Sequence, residues 1–125
     1  MCIRDRAQRV YAGIDVFLMP SSFEPCGLGQ MFAMRYGSVP VVRQTGGLAD
    51  TVTEGDNGFV FAERDPRPFS EAVLRALAAF RQPDWTDRVA RCMRGDFSWD
   101  KSAAEYVGLY DAAIRSRSVA ARHAQ

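Results

Sequence analysis

The stretch SSFEPCGLGQMFAMRYG, Ser21 to Gly37, sets one carboxylate, Glu24, beside Pro25 and ahead of Cys26, Gly27, Leu28 and Gly29. A proline stiffens such a loop and fixes the direction of the acid next to it. Glycines let another molecule approach backbone N–H groups closely. The helical run that follows begins with unpaired N–H groups and a partial positive charge, which suits a phosphate. Together these features fit a sugar nucleotide, with amides for the diphosphate or hydroxyls and the acid for the sugar. Spacing alone favours a plainer account, a strand–turn–helix connection whose glutamate caps a helix or faces water. Cys26 taken singly reads as a small buried residue rather than a reactive thiol. TGGLADTV, Thr45 to Val52, repeats the arrangement. Gly46 and Gly47 permit a tight turn and close backbone approach, and Asp50 would be a local cap; alone this is an ordinary turn.

The elements that must hold these loops follow from apolar periodicity. VFLM (Val16 to Met19), SVPVVR (Ser38 to Arg43) and GFVF (Gly58 to Phe61) are short apolar runs of the kind that form buried strands. Pro40 removes one ladder donor from the second. Helical spacing places Leu28, Met31, Phe32 and Arg35 or Tyr36 on one face, with Gly37 as a stop. A second helix carries Phe69, Ala72, Val73, Ala76, Leu77 and Phe80, after an Asp65–Pro66 start. A third carries Trp85, Val89, Cys92 and Met93. The last carries Trp99, Ala103, Tyr106, Val107, Tyr110, Ala113 and Ile114, with Ser98 as N-cap. Past Arg115 the composition turns to Ser, Arg, Ala and Gln, and a frayed, disordered tail is expected over 116–125.

Strands alternating with amphipathic helices imply an α/β fold with a parallel sheet. Three strands are too few for a doubly wound domain, so the expected architecture is a partial Rossmann-like sheet with C-terminal helices, the second half of a larger domain. The 125 residues suffice for one domain and not two. A net charge of +1 gives no electrostatic case for nucleic acid or an anionic membrane. Three cysteines without metal-ligand spacing, and one histidine, His123, in the polar tail, fit free thiols in a reducing cytoplasm. No apolar run approaches the ~20 residues of a membrane helix.

FLMPSSFEPCGLGQMFAMRYGSVPVVRQTGGLADTV, continued by DFSWDKSAAEYVGLY, closely resembles the C-terminal domain of bacterial glycogen synthases and starch synthases, glycosyltransferase family 5. The similarity runs from about Ala7 to Ile114, with order and spacing of the blocks in agreement. It implies two Rossmann-like domains facing a cleft, the GT-B architecture. It also implies transfer of glucose from ADP-glucose to the 4-hydroxyl at the non-reducing end of an α-1,4-glucan, with retention and with no cofactor or metal. By resemblance Glu24 is the essential acid near the donor sugar. Cys26, Gly27, Leu28 and Gly29 form the loop that contacts glucose and the distal phosphate, and Thr45, Gly46 and Gly47 form a turn beside it. Phe32 stands where broader relatives carry a second glutamate, so this loop supplies no paired carboxylates. At Gly29, where many members have Thr or Asn, only backbone can touch phosphate.

The resemblance further implies that the donor-binding Arg and Lys, and the acceptor-binding N-terminal domain that packs against this one, lie upstream. Lys101, the sole lysine, belongs to the closing helices and cannot take that role. The chain alone is therefore expected to be an inactive fragment. MCIRDR has no counterpart in the family, and residues 1–6 are expected to be an extraneous or disordered leader before a partial domain over 7–115. Two other functions remain open on these grounds: a related transferase using UDP-glucose, and a non-catalytic module binding glucan or a partner.

Overall fold

A computed structural model describes residues 3–123, which form two units divided after Gly95. In the first unit, helix α1 (Ile3–Gly13) leads into strand β1 (Val16–Met19) and helix α2 (Gly29–Arg35). Strand β2 (Val39–Arg43), helix α3 (Gly47–Thr51) and strand β3 (Phe59–Phe61) follow, then helices α4 (Pro66–Phe80) and α5 (Trp85–Arg94). α1 starts inside the stretch expected as a leader. The strands form one wholly parallel sheet in the order β1-β2-β3, the α/β arrangement expected. Val16 pairs with Val39, and Val41 with Phe59.

β2 tolerates Pro40 in the centre of the sheet because of where its nitrogen points. Val39 donates to Asp15 O on the β1 side at 2.9 Å. Alternation turns the Pro40 nitrogen toward β3, whose pairing begins only at Val41. The missing donor falls just outside the ladder.

The two sheet edges differ. On β3, Val60 presents its N–H and C=O away from β2, and side chains satisfy both. The Glu54 carboxylate accepts from Val60 N, and Arg75 Nη2 donates to Val60 O at 2.8 Å. That edge is blunted. Among the described residues no side chain covers β1 in this way, and Leu18, expected to be buried, is 48% exposed.

The core unites Met34, Val39, Val41, Val42, Leu48, Val52, Phe59, Phe61, Ala72, Ala76 and Cys92. α4 starts as its sequence implies, with Asp65 accepting from Arg67 N at 2.9 Å and Pro66 in the first turn. Ala72 and Ala76 face the sheet, while Leu77 and Phe80 emerge toward its end. α2 departs from expectation. Its buried face is Gln30, Ala33 and Met34, whereas Leu28, Phe32 and Tyr36 are exposed. The apolar stripe was legible but its phase was wrong, because a polar glutamine occupies the inside.

The second unit is helix α6 (Trp99–His123), so the backbone stays helical beyond Arg115, where fraying was expected. Just before it, the Asp96 carboxylate accepts from Ser98 N at 2.9 Å, and that backbone bond, aided by the Ser98 hydroxyl, holds the acid below the usual carboxylate range. Among the described residues no helix is long and apolar enough to cross a membrane.

Candidate active site

In a parallel sheet the C-terminal strand ends share one edge, where ligands of such folds bind. Here that edge carries the Glu24 loop after β1 and the Thr45–Gly47 turn after β2. Arg43, the last residue of β2, draws the strand ends together. Its Nε donates to Ser21 O at 2.8 Å, its Nη2 to Ser22 O, and its Nη1 to Ala62 O at 3.5 Å beyond β3. A charge closing the buried run VPVVR was the signal for this role, missed in the sequence. The guanidinium also lines a shallow cleft of about 280 Å³ with Pro20, Ser22, Phe61 and Arg64. Since backbone carbonyls occupy it, Arg43 acts as a clamp on the loop.

The two loops touch backbone to backbone. Gly47 N donates to Glu24 O at 3.0 Å. A Cβ at Gly46 would run into the Glu24 carbonyl oxygen, and one at Gly47 into that of Cys26. The close approach foreseen at these glycines is thus made by the acid-bearing loop itself. Asp50 lies in the first turn of α3, whose N-cap, Gly46, makes no side-chain hydrogen bond.

Glu24 is half-buried, and among the described residues no hydrogen bond or ion pair holds its carboxylate. Its backbone is fixed and its acid is left available. Cys26 and Leu28 are exposed beside it, Cys26 as a free thiol, contrary to the buried residue that Cys26 alone suggests. Gly27 is buried. Gly29 begins α2, which has only seven residues and no side-chain cap, so its macrodipole adds little and phosphate recognition would rest on individual loop N–H groups. A Cβ at Gly29 would lie 3.3 Å from the Phe17 ring. Phe32, in place of a second acid, packs edge-on to Tyr11 with centroids 6.3 Å apart. Among the described residues no three His, Cys, Asp or Glu side chains gather as a metal site. Cys2 lies outside the described residues.

A family model described as "Glycosyl transferases group 1" matches residues 2–79, more than half of the chain. The chain belongs to the group 1 glycosyl transferases. Glycogen synthase of Syntrophotalea carbinolica is 56% identical over 115 residues, 86% of this chain and 24% of its own. Glycogen synthase of Deinococcus deserti is 57% identical over 109 residues, again 86% and 24%. The catalytic domain of Starch Synthase IV from Arabidopsis thaliana, solved bound to ADP and acarbose, matches with a TM-score of 0.75 and 43% identity. That match covers 85% of this chain and 24% of the solved one. This glycosyl transferase segment therefore spans about a quarter of the length of the relatives it matches, in their C-terminal part. The parallel sheet and helices are part of a GT-B C-terminal domain, as the sequence implied.

Proposed function

We propose that this segment forms the donor-side wall of a glycogen or starch synthase, a retaining transferase that moves glucose from ADP-glucose to the 4-hydroxyl of an α-1,4-glucan. The observation that carries this is the unpaired Glu24 carboxylate on a backbone pinned to Gly47, at the ligand-binding edge of the sheet. When the bond from C1 to ADP breaks, the diphosphate leaves with the electron pair and positive charge grows at the anomeric centre. A preorganised carboxylate there stabilises that charge or holds a sugar hydroxyl. Backbone groups of Cys26, Gly27, Leu28 and Gly29 contact the glucose and distal phosphate, with Thr45–Gly47 as the turn that supports them. The acceptor oxygen then bonds to C1 on the face that ADP left, and its proton passes to the departing diphosphate or water. The relatives named glycogen synthase support this reading, and the ADP held by Starch Synthase IV favours ADP-glucose as donor. In the whole protein an N-terminal domain supplies the opposite wall and the glucan contacts, and residues 7–115 belong to the domain described here. The free thiols of Cys26 and Cys92 support a cytoplasmic location.

The test is a chimera in which this chain replaces the matching segment of the Syntrophotalea carbinolica glycogen synthase. It should transfer glucose from ADP-glucose, and Glu24→Gln should lower turnover by about 100-fold or more. Unchanged turnover in the variant, or an inactive but folded chimera, would refute the role given to Glu24.

A further inference from the structure

Gln30 is fully buried although it sits one residue into α2, beside the candidate donor loop. Its Nε2 donates to Thr51 Oγ1 at 3.0 Å, and Thr51 Oγ1 donates to Gly47 O at 2.7 Å. Because the threonine proton is committed to Gly47, Thr51 must accept from the glutamine, which fixes which end of the amide is Nε2. The amide faces Gly27, where a Cβ would lie 2.5 Å from Oε1 and 2.8 Å from Nε2, and Oε1 has no hydrogen-bond partner. Gly27 itself has φ of +69°, so this segment fits only without a side chain. The peptide N–H of Gly47 then returns to Glu24 O. Three hydrogen bonds thus link Gln30, Thr51, Gly47 and Glu24 across two loops that are distant in sequence, with the Gln30 amide packed against Gly27.

We infer that Gln30 and Thr51 are positioning residues that set the place of the Glu24 loop by holding it against the Thr45–Gly47 turn. A group serving packing alone could be any apolar side chain of that volume. Here a buried amide is aligned by a hydroxyl bonded to the carbonyl of Gly47, the residue whose N–H holds Glu24 O. This rests on the donor-loop reading for its effect on transfer, while the linkage itself is open to a measurement independent of activity.

The linkage is tested in the same chimera with Thr51→Val, which removes the hydroxyl at nearly constant shape, and Thr51→Ser, which keeps it. Gln30→Leu serves as a third variant. Amide hydrogen exchange over residues 24–29 should rise at least tenfold in Thr51→Val and Gln30→Leu and stay within threefold of the parent in Thr51→Ser. Turnover should fall about tenfold in Thr51→Val and recover in Thr51→Ser, while calorimetric titration with ADP keeps the parental stoichiometry, which excludes a merely smaller folded fraction. Equal exchange in the valine and serine variants overturns the inference. So does a turnover loss matched by a loss of ADP stoichiometry. If the exchange pattern holds while the parent chimera shows no transfer, the donor-loop reading fails and the linkage stands.

Discussion

Two segments of this chain look alike in sequence and behave oppositely in the fold. Glu24–Gly29 and Glu54–Gly58 each combine acids or polar groups with two glycines, and each adjoins a strand. The first follows β1, at the C-terminal edge of the sheet; the second precedes β3, at the opposite edge. In the second, the charged groups are consumed by the protein. Glu54 meets Arg75 at 3.1 Å and Asp56 meets Arg91 at 2.8 Å. Arg88 donates to the carbonyls of Gly55 and Asp56, with its guanidinium 4.9 Å from the Phe59 ring centroid. Asn57 accepts from Thr53 N at 2.7 Å and donates to Thr51 O at 3.1 Å. In the first, only backbone atoms are tied down and the carboxylate is spared. An acid in a glycine loop is therefore no sign of a site by itself; what separates the two loops is a carboxylate left unpaired among the described residues on a backbone held by Gly47.

The largest effect should come from prying the Glu24 loop off its neighbour. Gly47→Ala drives a methyl into the backbone of Cys26, which cannot move aside as a side chain would. The chimera should lose about 3 kcal/mol in a denaturant melt. A loss under about 1 kcal/mol would mean that the loop is slack and that its rigidity does not separate it from Glu54–Gly58.

Next in size is Arg88→Leu at the self-satisfied turn. It takes the Arg88 donor from the Gly55 carbonyl and leaves the Asp56 carbonyl to Arg91 alone, and should reduce stability by about 2 kcal/mol. Donor binding should be untouched, as this turn lies at the far edge of the sheet. Weakened ADP binding by calorimetry would show that the two edges are coupled.

The thiols report the same contrast on a smaller scale. Cys26 is exposed in the open loop, while Cys92 is 1% exposed and its thiol donates to Asn57 O at 3.0 Å. Burial pushes the Cys92 thiol up from 9.0 to about 11, against the pull of Arg88 and then Arg91. Iodoacetamide at pH 8 should label Cys26 and spare Cys92, with mass spectrometry of the peptides as readout. The sign of the pH effect follows from the raised value. The thiol's contribution to stability is whole below the unfolded pKa and is lost as pH rises through about 11. Labelling of native Cys92 would show that the turn opens.

The strands, the Asp65–Pro66 start of α4 and the loop carrying Glu24 were legible because each is written in consecutive residues. An apolar run, a capping pair and a proline-stiffened turn need no distant partner. Gln30, Arg43 and Arg88 were not legible. A polar side chain goes inside only where partners await it, and those partners are Thr51, the Ser21–Ser22 carbonyls and the Gly55–Asp56 carbonyls. Apolar periodicity gives a polar Gln30 no place on the inner face, which is why the phase of α2 was misjudged. The same cause hid the function of Gly46 and Gly47. Their glycine character was evident, but the backbone that presses on them comes from another loop.

The smallest effect on stability belongs to Glu24→Gln, and its smallness carries weight. A carboxylate with no hydrogen bond or ion pair among the described residues contributes nothing that an amide of the same shape would lose. The melt of the chimera should therefore move by no more than about 0.5 kcal/mol. Glu54→Gln is the matched control, because there the same change weakens the contact to Arg75 and the acceptor of Val60 N. It should fall by about 1 kcal/mol, the ion pair being half exposed and the backbone hydrogen bond charge-assisted. Equal losses in the two variants would give Glu24 a structural partner and erase the distinction between the loops. A neutral melt joined to a lost turnover leaves the Glu24 carboxylate with no task in the fold and one in the chemistry.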